Sequence, residues 1–281
     1  RRRVPTVLIT GASTGIGRAT ALRLSRAGWK VLAGVRSGQV GEELAAQAPG
    51  GPIEPLRLDV TSEEQIAAAR ASVDAGGSGR LDALVNNAGV GAGGPMETLT
   101  TEELRAQFEV NVFGPMALTR ELLPALRRAQ GRIVFVSSIG GKVVLPYTAP
   151  YGASKHAIEA IADSLRVELA GSKIQVALIE PGSVSTPIWD KSRDEASRLQ
   201  IPPELEPVYG EVVEKMGRVL EETAKRGVAP DVVAAVIERA LGARRMKARY
   251  LVGRDARMML TMRRVLPDLW FDRMVRRGTG L

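Results

Sequence analysis

Short apolar runs and amphipathic stretches alternate along this chain from residue 7 to about residue 180. Val7–Leu8–Ile9–Thr10 is an almost unbroken apolar run of strand length, the pattern of a strand buried on both faces. A helical pattern follows through Leu22 and Leu24 and stops at Gly28. Lys30–Val35, Leu56–Leu58, Leu84–Val85 and Ile133–Val136 read as further strands, with helix-length segments between them. Strands alternating with helices at this spacing predict an α/β domain. No linker-like or low-complexity segment and no internal repeat divides the pattern, so one domain over residues 1–281 is expected. At 44% hydrophobic content, a chain of this length can fill one large core.

Charge changes the picture at one end only. Residues 244–281 hold eleven Lys/Arg and three Asp/Glu, while the rest of the chain has 28 of each sign, so this extension carries the whole net charge of +8. A basic extension can meet nucleic acid, but no aromatic stacking platform or nucleic-acid module accompanies it. Zero cysteines exclude disulfides, thiolate catalysis and thiolate-held metal. One histidine and scattered carboxylates offer no convergent metal site. Arg1–Arg2–Arg3 precedes an apolar stretch too short for a signal peptide, and no run approaches the ~20 residues that span a bilayer. Cytoplasmic residence is the expectation.

The first strand leads at once into Gly11–Ala12–Ser13–Thr14–Gly15–Ile16–Gly17 and then a helix. Strand, glycine-rich turn and helix form the context of a dinucleotide fingerprint. Gly11 permits a sharp turn, Gly15 clears space for a pyrophosphate, and Gly17 lets the helix pack closely. The first helical amides then face the diphosphate, with the Ser13 and Thr14 hydroxyls beside them. The spacing is G-x-x-x-G-x-G rather than the commoner G-x-G-x-x-G. The second strand ends in Val35, where an NAD site usually places an acid, and Arg36 follows. A planar cation suits a ribose 2′-phosphate, so NADP(H) is the expected cofactor.

Tyr151–Gly152–Ala153–Ser154–Lys155 carries the candidate chemistry. On a helix Tyr151 and Lys155 share one face. A free phenol titrates near ~10, and an ammonium beside it favours the phenolate and brings proton transfer toward neutral pH. Ser138, thirteen residues earlier, can hold a carbonyl oxygen while Tyr151 protonates it. His156 adjoins Lys155 but points elsewhere on the helix, and no nucleophile turn supports a Ser–His hydrolase.

In this order the motifs resemble the short-chain dehydrogenase/reductase family in its single-domain branch. They run Thr10–Gly11 to Gly15–Ile16–Gly17, Asp59–Val60, Asn86–Asn87–Ala88–Gly89, Asn111, Ser138, Tyr151 with Lys155, and Pro181–Gly182 with Thr186. The resemblance is firm over residues 5 to 190. It implies a doubly wound parallel sheet of Rossmann type with helices on both faces. It also implies hydride transfer between nicotinamide and a substrate carbon, with Tyr151 as general acid/base. Lys155 then supports the phenolate and binds ribose, Ser138 rather than Ser137 holds the oxygen, and Asn111 links Lys155 to solvent through water. Asp59 and Val60 border the adenine. Asn87, Ala88 and Gly89 lie against the ribose, and Thr186 holds the carboxamide beside Pro181, Gly182 and Val184. Asp59 also reads as an acid before a capping box at Thr61–Ser62–Glu63–Glu64, and Asn86 as an amide tying neighbouring strands.

The region around Ser138 and Tyr151, the continuation Lys155–His156–Ala157–Ile158–Glu159–Ala160 and the C-terminal extension most resemble 17-beta-hydroxysteroid and retinol dehydrogenases. An apolar carbonyl/alcohol substrate follows from that likeness, with Val143, Val144 and Leu145 as its wall. A non-catalytic NADP(H)-sensing protein on the same fold is the alternative. Residues 186–230, punctuated by prolines, are expected to form a substrate lid. Ile158, Ile161, Ala162, Leu165 and Leu169 form an apolar stripe on the Tyr151 helix, and self-association into a dimer or tetramer is expected. Residues 256–277 mix arginines with methionines and the Leu269–Trp270–Phe271 cluster. They read as an amphipathic segment broken by Pro267, packed on the body, over the substrate or at a membrane surface.

Overall fold

Apolar runs of strand length become a seven-stranded, all-parallel sheet in the order β3-β2-β1-β4-β5-β6-β7. The computed structural model describes residues 3–75, 78–91, 93–186 and 201–279. The strands are β1 (Thr6–Thr10), β2 (Lys30–Val35), β3 (Ile53–Arg57), β4 (Ala83–Asn86), β5 (Arg132–Val136), β6 (Gln175–Pro181) and β7 (Arg249–Val252). The helices are α1 (Gly15–Arg26), α2 (Gly38–Ala45), α3 (Glu63–Ala75), α4 (Thr101–Phe108), α5 (Gly114–Ala129) and α6 (Ala149–Glu168). Beyond β6 come α7 (Glu206–Arg226), α8 (Pro230–Gly242), α9 (Arg254–Val265) and α10 (Asp268–Thr279). The doubly wound Rossmann-type expectation is met.

Alternation along each strand divides the core into two layers. Val7 and Ile9 join Leu24, Val233 and Ile237 under α1 and α8, whereas Leu8 joins Leu118, Leu122 and Ile158 under α3, α5 and α6. All nine of these side chains are buried. The chain leaves β1 for β2 on one side, and β4 lies on the other. Strand order therefore reverses at β1/β4, and a crevice opens at the carboxyl ends of these two strands, where ligands of such sheets bind.

The apolar stripe on α6 serves this core. Ile158, Ala162 and Leu169 are buried in it, and Ile161 and Leu165 pack against it. The stripe is thus covered by its own sheet and does not itself offer a subunit contact. Pro267 interrupts the extension as expected, separating α9 from α10. Phe271 and Val275 of α10 bury themselves with Val143, against Ile139, Met259 and Met262. One side of the extension therefore packs on the body. Of the expected lid, residues 187–200 lie outside the described residues, and α7 forms its later part. Among the described residues no helix is long and apolar enough to cross a membrane.

Candidate active site

The glycine turn after β1 is built by two kinds of necessity. Gly11 and Gly15 have φ of 63° and 54°, a region that L side chains rarely adopt. Gly17 needs clearance instead: a Cβ there would run into the Gly11 carbonyl oxygen and the Asn87 amide. α1 consequently starts flush against the end of β1. Its N-cap, Thr14, makes no side-chain capping bond, and its first turn holds no acid. The leading amides and the positive end of the helix are left to face an anion. Ile16 packs against the core, while Ser13 stays half-buried and Thr14 exposed at the turn.

Arg36 emerges exposed immediately after β2. The Asp59 carboxyl sits below the ordinary carboxylate range, chiefly because the Thr61 amide and hydroxyl donate to it at 3.0 and 2.7 Å, with a smaller pull from Arg36. Asp59 and Arg36 thus share one neighbourhood. The cap of α3 differs from the expected Thr61–Glu64 box. Ser62 caps the helix, accepting from the Gln65 amide at 3.3 Å, and the Gln65 side chain accepts from the Asp59 amide at 2.8 Å. Only the backbone path decides between adjacent hydroxyls. Val60 is buried, with its carbonyl and side chain closing over Gly114.

Asn87 ties the two central strands at the crevice. Its side-chain amide donates to the carbonyls of Thr10 and Gly11 at 2.9 and 3.2 Å. Thr10 reciprocates, its hydroxyl oxygen accepting from the Asn87 and Ala88 amides at 2.9 Å each. This corrects the role expected of Asn86, whose amide instead donates to Thr119 on α5 at 2.9 Å. Thr10 is the residue that sequence reasoning overlooked here: a hydroxyl closing a strand end signals a bond to the neighbouring strand.

Ser138, Tyr151 and Lys155 converge beside this crevice. Ser137 and Ser138 alternate as an extended strand requires. Ser138 Oγ lies beside the Tyr151 ring at Gly140 and accepts from the Gly140 amide at 3.0 Å, while the buried Ser137 hydroxyl has no partner among the described residues. Gly140 lets the Tyr151 ring lie against the loop, since a Cβ there would stand 3.0 Å from the ring. Lys155 is buried; its ammonium donates to the Val136 carbonyl at 3.0 Å and lies 5.7 Å from the Tyr151 ring centre. Burial pulls the Lys155 pKa down to about 8, partly opposed by Glu159. Burial also raises the Tyr151 phenol above its ordinary value, partly offset by Ser138. Desolvation is the largest influence on both groups.

Asn111 sits in a π-helical turn, Glu109–Phe113, which turns it inward between α4 and α5. Its amide donates to the Val90 carbonyl at 2.9 Å and to Ser154 at 3.0 Å, and its oxygen accepts from the Val90 amide at 2.9 Å. Asn111 Oδ1 and Lys155 Nζ stand 3.3 and 3.6 Å from the point where Gly89 would carry a Cβ. A side chain at this position would press on the Asn111 oxygen. His156 is exposed, its Nδ1 facing the Gly152 carbonyl at 2.8 Å, away from these groups.

At the other end, Pro181 closes β6, Gly182 follows it, and buried Val184 bridges to Val228. Thr186 is half-buried, at the edge of the described residues. Asp255 of α9, unforeseen from sequence, accepts from the Ser183 amide at 2.7 Å and occupies the space over Gly182. Of the three residues expected to wall the substrate, Val143 turns into the C-terminal cluster, leaving Val144 and Leu145 partly exposed, with Val144 against Gly152. Among the described residues no cluster of His, Cys, Asp or Glu could hold a metal ion.

Behind the site lies a charged cluster. Buried Glu159 and Glu180 meet Lys142 and Arg249, with Lys142–Glu159 at 2.7 Å and Arg249 3.1 Å from both carboxylates. Arg249 also pairs with Asp163 at 2.6 Å.

Comparison with known proteins agrees with this geometry. The family model described as short chain dehydrogenase matches residues 5–197. The NADPH-dependent 3-dehydrocapnine reductase of Ornithobacterium rhinotracheale is 34% identical over 95% of this chain and 94% of its own. Human retinol dehydrogenase 16 is 35% identical over 95% of this chain and 86% of its own. A short-chain dehydrogenase crystal structure from Streptomyces avermitilis superposes with a TM-score of 0.79 at 32% identity, covering all of both chains. Fold, ordered motifs and relatives agree: this chain belongs to the short-chain dehydrogenase family.

Proposed function

We propose that this oxidoreductase uses NADP(H) to interconvert a carbonyl and an alcohol on an apolar, steroid-, retinoid- or lipid-like substrate. The observation that carries the reading is the convergence of three groups beside the glycine turn: Ser138 Oγ and the Tyr151 ring both lie against Gly140, and the Lys155 ammonium stands 5.7 Å from the Tyr151 ring centre.

The crevice suits a dinucleotide. Left-handed Gly11 and Gly15, the clearance at Gly17 and the uncapped start of α1 accommodate a diphosphate. Exposed Arg36 suits a 2′-phosphate, in keeping with the NADPH-dependent relative. When bound, the nicotinamide supplies or accepts the hydride. Ser138 then holds the substrate oxygen and Tyr151 gives or takes its proton. Lys155 is positioned to replenish that proton and to hold ribose hydroxyls, and Asn111 to lead it toward solvent past Gly89. Pro181, Gly182, Val184 and Thr186 border the nicotinamide. Partly exposed Val144 and Leu145 give the substrate side an apolar face.

Tyr151→Phe removes the proton donor alone. Turnover should fall by ~10²–10⁴ with NADPH affinity nearly unchanged. A variant retaining most of the wild-type rate would sink the mechanism. NADPH consumption across a panel of ketones and aldehydes identifies the substrate; silence throughout would favour an NADP(H)-sensing protein instead. The cysteine-free chain fits the reducing cytoplasm. Self-association belongs to the same proposal, now through exposed Phe113 and Met116 near the start of α5 and Val167 on α6. Light scattering tests it, with a monomeric mass as the contrary result.

A further inference from the structure

The two C-terminal helices bury one side and leave the other uncovered. Inward, Phe271 and Val275 close over Val143. Outward, α9 presents Arg257, Met258, Thr261, Arg264 and Val265, all exposed and spaced to lie on a single helical face. α10 continues with Leu269, Trp270, Arg273 and Arg277. Val265, Leu269 and Trp270 remain 72%, 71% and 62% exposed. An open groove of about 490 Å³ lies here, lined by Leu266, Trp270, Arg273, Met274 and Arg277. The Arg273 guanidinium stacks 5.9 Å from the Trp270 ring centre.

The acids on these helices do not neutralise that face. Asp255 turns inward to Ser183, and Asp268 is paired with Arg263 at 2.6 Å. Asp272 is the one acid left on these helices, which also carry Arg257, Arg264, Arg273, Arg276 and Arg277. Apolar tips among arginines match a surface that is oily inside and anionic at its rim. A second copy of the same face would set arginines against arginines.

We propose that α9 and α10 form a peripheral docking surface for anionic lipid bilayers. Leu269, Trp270 and Val265 enter the headgroup boundary, while Arg257, Arg264, Arg273 and Arg277 meet lipid phosphates. The helices rest on Ile139 and Val143, in the loop between Ser138 and Tyr151. Docking therefore brings the substrate side close to the bilayer; delivery of a lipophilic substrate rests on the function proposed above, but binding does not.

Co-sedimentation of the full chain with phosphatidylcholine–phosphatidylglycerol vesicles (about 7:3) tests the surface. The protein should pellet with these vesicles and not with phosphatidylcholine alone, and added salt should release it. Arg264→Gln should lower the partition coefficient about five-fold, and Arg264→Gln with Arg273→Gln about twenty-five-fold. Val265→Ser with Leu269→Ser should weaken binding without altering the thermal melt, since both side chains are outside the core. A protein that stays in the supernatant, or pellets equally with both vesicles, overturns the proposal. So does a Val265→Ser/Leu269→Ser variant that binds as before but has a changed mass in solution, which would assign the face to a second copy. None of these readouts depends on turnover.

Discussion

Glu159 stands one helical turn beyond Lys155, and its carboxylate opposes the loss of charge that burial imposes on the lysine. Glu159 is itself buried and held by Lys142 and Arg249. Glu159→Gln keeps the shape and removes the charge, so the Lys155 pKa should drop below about 8. If the ammonium is the working form, kcat/KM falls as pH rises through that pKa. The variant's alkaline limb should move toward lower pH. An alkaline limb that does not move would make Glu159 a structural residue only.

Glu180 predicts a pH dependence of stability. Burial, then repulsion from Glu159, pushes its pKa up from 4.5 to about 7. The folded protein therefore holds this proton more tightly than the unfolded chain does. The resulting contribution to stability is full below about pH 4.5 and is lost as pH rises through about 7. Glu180→Gln removes the titration. The wild-type Tm, measured by calorimetry, should carry a downward slope between these pH values that the variant lacks. Parallel Tm curves would contradict it.

Asp255 fastens the C-terminal extension to the loop after β6, through the Ser183 amide and the space over Gly182. Asp255→Ala leaves that amide without its acceptor, at a cost of about 1–2 kcal/mol in stability. Because the loop borders the proposed nicotinamide position, cofactor affinity should fall as well. Asp255→Asn retains an acceptor oxygen and should lose less of both. Chemical denaturation and cofactor titration measure the two effects. Equal losses for Ala and Asn would assign the role to charge rather than to the hydrogen bond.

How far the sequence reaches is visible at particular residues. β1 and the glycine turn are legible because strand period, positive-φ glycines and helix clearance are local constraints. The choice of Ser138 over Ser137 follows from family spacing, and strand alternation places the two hydroxyls on opposite sides. Less legible are contacts between distant segments. The Lys155 bond to the Val136 carbonyl and the meeting of Lys142, Glu159, Glu180 and Arg249 depend on how β5, β6, β7 and α6 stack. An apolar stripe such as Ile158–Ala162–Leu169 states that a face is covered, not by what. Ser62 displaces Thr61 as the cap because one residue of backbone path separates them.

Arg36 decides cofactor choice in the proposed function. It leaves β2 exposed at the carboxyl edge of the sheet, close enough to Asp59 to lower that carboxyl's pKa. Asp59 already accepts two bonds from Thr61. The guanidinium's donors can therefore turn to a phosphate without leaving the carboxylate bare. A ribose 2′-hydroxyl offers it no charge to meet, whereas a 2′-phosphate offers a charge-assisted, bidentate contact. Arg36→Ala should weaken NADPH binding by about 1.5–3 kcal/mol and leave NADH nearly unchanged. Fluorescence titration with both cofactors reads the difference. Equal losses would make Arg36 a structural residue of the β2 end. A wild type that prefers NADH would overturn the NADP(H) assignment itself.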